Sequence, residues 1–192
     1  MNHSLAPGFL IASPPLGDPN FDRTVVLLAM HSEDGALGFV VNRPAPLSLG
    51  KLLEHAGYAE GHGDPTPVWV GGPVQPQSGW LLVEDPSLHG GDGIIEVGPR
   101  LRVTSSRSAF DDLAAEVQRG EARQRRRLVM LGYSGWAPGQ LEGEIARGAW
   151  LPVPLDLRIC FDVPREKRWE EAYALLGLTP ATVMSMRSVG QA

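Results

Sequence analysis

The sequence predicts an α+β domain with a mostly antiparallel or mixed sheet. Short apolar runs of strand length come in groups, without the regular strand–helix alternation of a parallel βαβ fold. Glycines and prolines, 23 and 17 in number, punctuate those runs. Two stretches carry apolar residues at helical spacing. Several short strands in a small chain favour a curled or closed sheet, because closure removes exposed edges. The length of 192 residues fits one domain, 1–192. Its ends, 1–6 and 185–192, are expected to be flexible.

Phe9–Ala12 reads as a first strand, followed by a proline-stiffened loop from Ser13 to Asn20. Thr24–His31 is apolar on both faces, as a central strand would be. The turn Ser32–Gly35 returns the chain as Ala36–Asn42, a hairpin that sets His31 across from Ala36. Ser48 can cap a helix over Leu49–His55, closed by Gly57. A polar Gly/Pro loop, Tyr58–Pro67, is the expected mobile segment. Val68–Val70 and Trp80–Val83 read as strands, and Ile94–Val97 with Leu101–Thr104 as a hairpin. Phe110, Leu113, Ala114 and Val117 form a helical stripe ended by Gly120. Arg127–Leu131 is a strand that leads into a Gly-rich turn with a serine at its bend. A helix follows from Pro138, with Leu141 and Ile145 on one face. Trp150–Val153 and Leu157–Phe161 are expected strands. Trp169, Ala172, Tyr173 and Leu176 make the last clear helical stripe. No element is assigned beyond Thr179.

Seventeen basic and 22 acidic residues leave a formal charge of −5, unfavourable for coating nucleic acid. Only Arg119, Arg123, Arg125, Arg126 and Arg127 concentrate positive charge. A single cysteine, Cys160, allows neither an internal disulfide nor a cysteine-based zinc motif, and reads as a small core hydrophobe. The first residues lack a signal-peptide pattern, and no apolar run reaches the ~20 residues of a membrane span. A cytoplasmic protein without membrane contact is expected.

Gly132-Tyr133-Ser134-Gly135-Trp136 invites comparison with the G-x-S-x-G nucleophile elbow. The second glycine, which lets the helix pack on the strand, is replaced by Trp136. All five histidines (His3, His31, His55, His62, His89) precede the serine, whereas an elbow enzyme places its histidine after it. No catalytic residue is assigned. No H-x-x-x-H, H-E-x-x-H or cysteine pair is present, so no metal is expected. Gly71-Gly72-Pro73 and Gly90-Gly91-Asp92-Gly93 lack the continuation of a P-loop or dinucleotide fingerprint and read as turns. No cofactor is expected. The stretch from Tyr133 to Glu144 has a non-catalytic reading. Pro138 suits the first helical position. Gln140 can reach back to the amide of Ala137. Glu142 and Glu144 suit the positive helix end.

Three ordered motifs carry a family resemblance. The first runs from Gly8-Phe9-Leu10-Ile11-Ala12 to Asn42-Arg43-Pro44. The second is Val70-Gly71-Gly72-Pro73-Val74. The third is Gly132 to Glu144, together with Trp150. From about Pro7 to the Trp169 helix the chain resembles the bacterial AlgH/YqgE family, whose members are labelled uncharacterised or transcriptional regulators. The resemblance implies an α+β fold with a bifurcated, mostly antiparallel sheet that includes a small closed five-stranded barrel surrounded by helices. It implies no catalytic residues and no cofactor. Met30 precedes His31 where some relatives carry cysteine, which argues against thiol chemistry there.

The expected function is a cytosolic ligand- or protein-binding regulatory module without catalysis. Its candidate site is His31, Asn42, Arg43, Gly71, Gly72, Tyr133, Trp136, Gln140 and Glu144, and its partner is a protein or a small anionic ligand. One alternative is a DNA-binding regulator using Arg123, Arg125, Arg126 and Arg127, although no helix-turn-helix signature is visible. A second is a hydrolase acting through His31 or Glu144, which lacks a paired acid and base.

Overall fold

The structure, a computed structural model, describes residues 4–14, 18–58, 63–85, 93–122 and 125–189. His3, His62, His89, Arg123 and the Gly90–Asp92 turn lie outside the described residues. The chain divides into two compact units, one of residues 1–42 and 134–192, the other of residues 43–133.

The first unit contains β1 (Gly8–Ala12), β2 (Val25–Ser32) and β3 (Gly35–Val40). In the second unit lie β4 (Pro44–Ser48), α1 (Leu49–His55), β5 (Pro67–Val70), β6 (Val74–Glu84), β7 (Ile94–Val97), β8 (Leu101–Thr104) and α2 (Arg107–Gln118). Strand β9 (Arg127–Trp136) begins in the second unit and ends in the first. Then come α3 (Gln140–Ala146), β10 (Trp150–Pro154), α4 (Leu157–Phe161), α5 (Arg168–Ala174) and α6 (Pro180–Val189). The strand order is β10-β1-β2-β3-β9-β6-β8-β7, antiparallel along this path, with β4 and β5 off it. Strand β5 pairs with β9 in parallel.

This α+β sheet is open, and the expected closed five-stranded barrel is not formed. The eight-strand path ends at β10 and β7, and among the described residues no pairing joins them. The composition of β10 explains its free edge. Phe9 pairs with Val153 and Ile11 with Leu151, while Pro152 and Pro154 occupy the intervening positions. In an antiparallel ladder those intervening amides face away from the partner strand. Proline has no N–H there, so the outward edge is blunted chemically rather than by closure.

Three further expectations are corrected. Leu157–Phe161 is helix α4, not a strand. The Asp156 carboxylate caps it by accepting from the Arg158 amide at 3.0 Å, and only Ile159 and Cys160 are buried. A five-residue apolar run does not by itself distinguish strand from helix. Gly132–Trp136 is not a turn, because β9 continues through it. The chain after Thr179, given no element, forms α6. The Ser48 cap of α1, the helix ended at Gly120 and the His31–Ala36 pairing all form as expected.

Each unit has its own apolar core. In the first, Leu10, Val26, Leu28, Trp136, Leu141 and Trp150 pack together. In the second, Leu49, Leu53, Val68, Leu81, Leu113 and Val129 do so. Burial of such side chains contributes roughly 1.5–3 kcal/mol each. Gly132 has φ +68, and a Cβ there would overlap the Gly72 carbonyl oxygen and come within 2.9 Å of that of Val74. Gly120 has φ +71 but nothing within 4 Å of a Cβ. Gly120→Ala is therefore expected to cost only the left-handed strain, about 1–2 kcal/mol. Gly132→Ala adds a backbone collision and should cost clearly more. Equal losses in urea unfolding would contradict the close approach.

Candidate functional site

Ser134 lies inside β9, fully buried and paired with Gly38. A serine in mid-strand has none of the exposure that an elbow gives its nucleophile.

Helix α3 begins at Gln140 with Gly139 as its N-cap, not at Pro138 as expected, while the expected contact of Gln140 with the Ala137 amide is formed. Gln140 accepts from the Ala137 amide through Oε1 at 3.0 Å and donates from Nε2 to Glu144 Oε1 at 2.9 Å. Glu144 Oε2 accepts from two indoles, Trp136 Nε1 at 2.9 Å and Trp150 Nε1 at 2.8 Å. Phe21 closes the aromatic cluster, 5.3 Å edge-on to Trp150 and 6.4 Å from Trp136. Both Glu144 oxygens are thus occupied in tying α3 to β9 and β10. This carboxylate orients both tryptophans.

His31 follows the same logic. Its Nδ1 accepts from the Leu5 amide at 3.0 Å, and Nε2 lies 3.0 Å from Glu142 Oε1. The acceptor role of Nδ1 assigns the neutral tautomer with its proton on Nε2. The imidazole is 6% exposed. Ser4 Oγ donates to the His31 carbonyl at 3.1 Å, so Ser4–Ala6 forms a strap held at the end of β2. The Glu142 carboxyl is held below the ordinary carboxylate value, first by a hydrogen bond with its own backbone amide and then by His31.

Asn42 also acts on backbone. Its Oδ1 accepts from the Val25 amide and its Nδ2 donates to the Arg23 carbonyl, both at 2.9 Å. Arg23 has φ +52, a left-handed conformation that costs a non-glycine residue about 1 kcal/mol or more and that recurs at functional sites. Its guanidinium lies 5.3 Å over the Trp169 ring. That ring is fixed by its Nε1, which donates to the Ala12 carbonyl at 3.0 Å, and by Tyr173 edge-on at 5.2 Å. Arg23 and Trp169 line a cleft of about 690 Å³ with Asp22, Glu170, Leu178 and Met184. Met184 is 55% exposed.

In the second unit, the Arg43 carbonyl accepts from the Val70 amide at 2.8 Å, and the Gly71 amide donates to the Leu131 carbonyl at 2.8 Å. Gly72 is the residue against which Gly132 packs. Tyr133 meets Trp80 edge-on at 6.0 Å. These four carry strand pairing and packing. Of the sequence candidates, the structure brings Trp136, Gln140 and Glu144 into one network. His31 bonds the neighbouring Glu142 on α3, and Asn42 stands apart from both.

The arginine cluster is paired with acids. Arg127 engages Glu116, and Arg126 lies 2.8 Å from Glu84. Arg125 lies 3.6 Å from both Asp85 and Glu116. Positive charge spent this way offers little to phosphates. Among the described residues, no three His, Cys, Asp or Glu side chains gather as a metal site would need. No helix of the described residues is long and apolar enough to cross a membrane.

Sequence reading missed Arg23 and Trp169 as partners. Trp169 was legible only as part of a helical core stripe. The left-handed conformation of Arg23 has no signal in residue type, since it is not glycine, asparagine or aspartate.

These polar contacts can be tested one by one. Glu144→Gln turns one oxygen into a donor where donors already converge, and should cost about 1–3 kcal/mol in urea unfolding. No loss would show the indole bonds to be dispensable. His31→Phe removes the acceptor of the Leu5 amide, and the exchange protection of that amide should drop about tenfold. His31→Asn, whose Oδ1 can still accept, should keep most of it, and equal protection in the two variants would contradict the contact.

Comparison with known proteins agrees with this architecture. Residues 9–181 match the AlgH-like family. A UPF0301 protein of Anaeromyxobacter dehalogenans (strain 2CP-C) is 47% identical over 188 residues, covering 92% of this chain and 90% of that one. A UPF0301 protein of Methylococcus capsulatus is 40% identical over 190 residues, covering 97% and 96%. The solution structure of the AlgH protein from Pseudomonas aeruginosa superimposes with a TM-score of 0.77 at 37% identity, covering 93% of this chain and 92% of that one. A Corynebacterium diphtheriae protein of 22% identity shares the fold, with a TM-score of 0.67 and coverage of 90% and 88%. Family match, curated relatives and fold agree over nearly the whole length, and the chain belongs to the AlgH-like, UPF0301 family.

Proposed function

We propose that this protein is a non-catalytic binding module of regulatory type, and that its ligand face is the Arg23–Trp169 cleft of the first unit. The observation that carries this reading is the strained, Asn42-held Arg23 lying 5.3 Å over a fixed indole at a cleft of about 690 Å³. Cavities of this size accept small molecules or a short peptide segment. A guanidinium held over a tryptophan ring can still offer donors to a carboxylate or phosphate. Leu178 and Met184 offer apolar contact beside it. Asp22 and Glu170 on the same cleft would select against a bare anion and favour one that also carries donors.

Catalysis is disfavoured by the same bonds that built the site. The His31 nitrogens and the Glu144 oxygens are engaged in fixed contacts, which leaves no poised acid–base pair. Of the four arginines on which the DNA-binding reading draws, the three that are described, Arg125, Arg126 and Arg127, each meet a carboxylate.

The test is an NMR screen of amino acids, dipeptides and nucleotides, read at the Trp169 indole N–H. At least one class should shift that resonance saturably without being turned over. Arg23→Ala, at an exposed position, should keep the fold and weaken that ligand about tenfold or more. Ligands that bypass Trp169 altogether, or that are chemically converted, would sink the reading.

A further inference from the structure

The second unit contains a separate recess of about 270 Å³ between α1, β6, β9 and the start of α2. Its inner lining is apolar, from the buried Leu53 and the partly buried Phe110 and Leu131. At its opening stand the half-buried Tyr58 and the exposed Ser105 and Arg107. Gly79 makes room for this arrangement, since a Cβ there would come within 2.8 Å of the Phe110 ring. An apolar interior under a few polar groups is the usual form of a small-molecule site.

The polar groups at the opening are coupled. The Tyr58 hydroxyl donates to Asp111 Oδ1 at 2.8 Å, and Arg107 Nε reaches the same oxygen at 3.5 Å. The Arg107 guanidinium also lies 5.7 Å over the Tyr58 ring. Desolvation, then the Asp111 contact, holds the Tyr58 hydroxyl above its ordinary value, so it stays protonated and keeps donating. The Arg107 and Asp111 side chains are 81% and 54% exposed. An ion pair that open to water contributes little and exchanges partners readily. Arg107 is therefore a cation at an apolar recess whose present acid is easily replaced.

We propose that this recess binds a small amphipathic carboxylate, with its hydrocarbon body between Leu53, Phe110 and Leu131 and its anionic end on Arg107 in place of Asp111. The body is driven by burial of apolar surface. The head gains a charge-assisted hydrogen bond with the guanidinium. Asp111 competes for Arg107 and repels the incoming anion, so it sets the threshold for binding. The site is independent of the Arg23–Trp169 cleft, and either can fail without the other.

Calorimetric titration of the full chain with octanoate tests this, with octan-1-ol as the uncharged probe. Octanoate should bind saturably and more tightly than octan-1-ol. Arg107→Gln should weaken octanoate about tenfold and leave octan-1-ol unchanged. Asp111→Asn should strengthen octanoate several-fold, because it removes the competitor while keeping an acceptor for Tyr58. Both positions are exposed, so the variants are expected to fold, which thermal unfolding verifies. Absence of saturable octanoate binding, or affinity indifferent to both charge changes, overturns the proposal. Equal affinity for octan-1-ol overturns its ligand class.

Discussion

Strand β9 runs unbroken from Arg127 to Trp136 because Gly132 adopts φ +68, where a side chain would collide with the Gly72 carbonyl. Up to Leu131 the strand pairs with β5 and β6, Tyr133 still pairs with Val74 of β6, and from Ser134 onward it pairs with β3. The second unit thus ends, and the first resumes, within one strand. The motif Gly132-Tyr133-Ser134-Gly135-Trp136 is explained by backbone geometry. Gly132 permits the local conformation, Ser134 is buried within the ladder, and Trp136 delivers its indole to Glu144. Each of these roles is a role in the fold.

The polar residues that stand out in the sequence turn out to be construction elements. Glu144 collects two indoles and Gln140, His31 holds a backbone amide and Glu142, and Asn42 holds two backbone groups. A buried polar group left without partners costs more than a satisfied one contributes, so such residues are tightly constrained whether or not they touch a ligand. Asn42 is the exception that leads outward. By holding the Arg23 carbonyl it supports a left-handed conformation whose side chain lies over Trp169. Both proposed sites draw on residues with freedom to re-pair, Arg23 and Arg107, rather than on those locked into networks.

Local rules read most of the elements well. The Ser48 cap, the Phe110–Val117 stripe, the β2–β3 hairpin and the Gln140 contact with Ala137 all depend on neighbours in sequence. The rules failed where locality fails. Leu157–Phe161 has no periodicity long enough to choose between strand and helix, and the Asp156 cap decided it. The closed five-stranded barrel was implied by family resemblance, and the many short strands favoured a curled or closed sheet; the prolines of β10 stand instead on a free edge of an open one.

By itself the sequence determined the α+β class, the family and which residues are unusual, because composition, spacing and ordered motifs are properties of the chain alone. Tertiary structure alone decided that the sheet is open, that Ser134 is buried in a strand, and that Arg23 meets Trp169 across 146 positions of sequence (169 − 23). The physical reason is that a side chain's role depends on what satisfies its hydrogen bonds and covers its surface. Those partners, for His31, Glu144 and Arg23 alike, come from other elements of the fold.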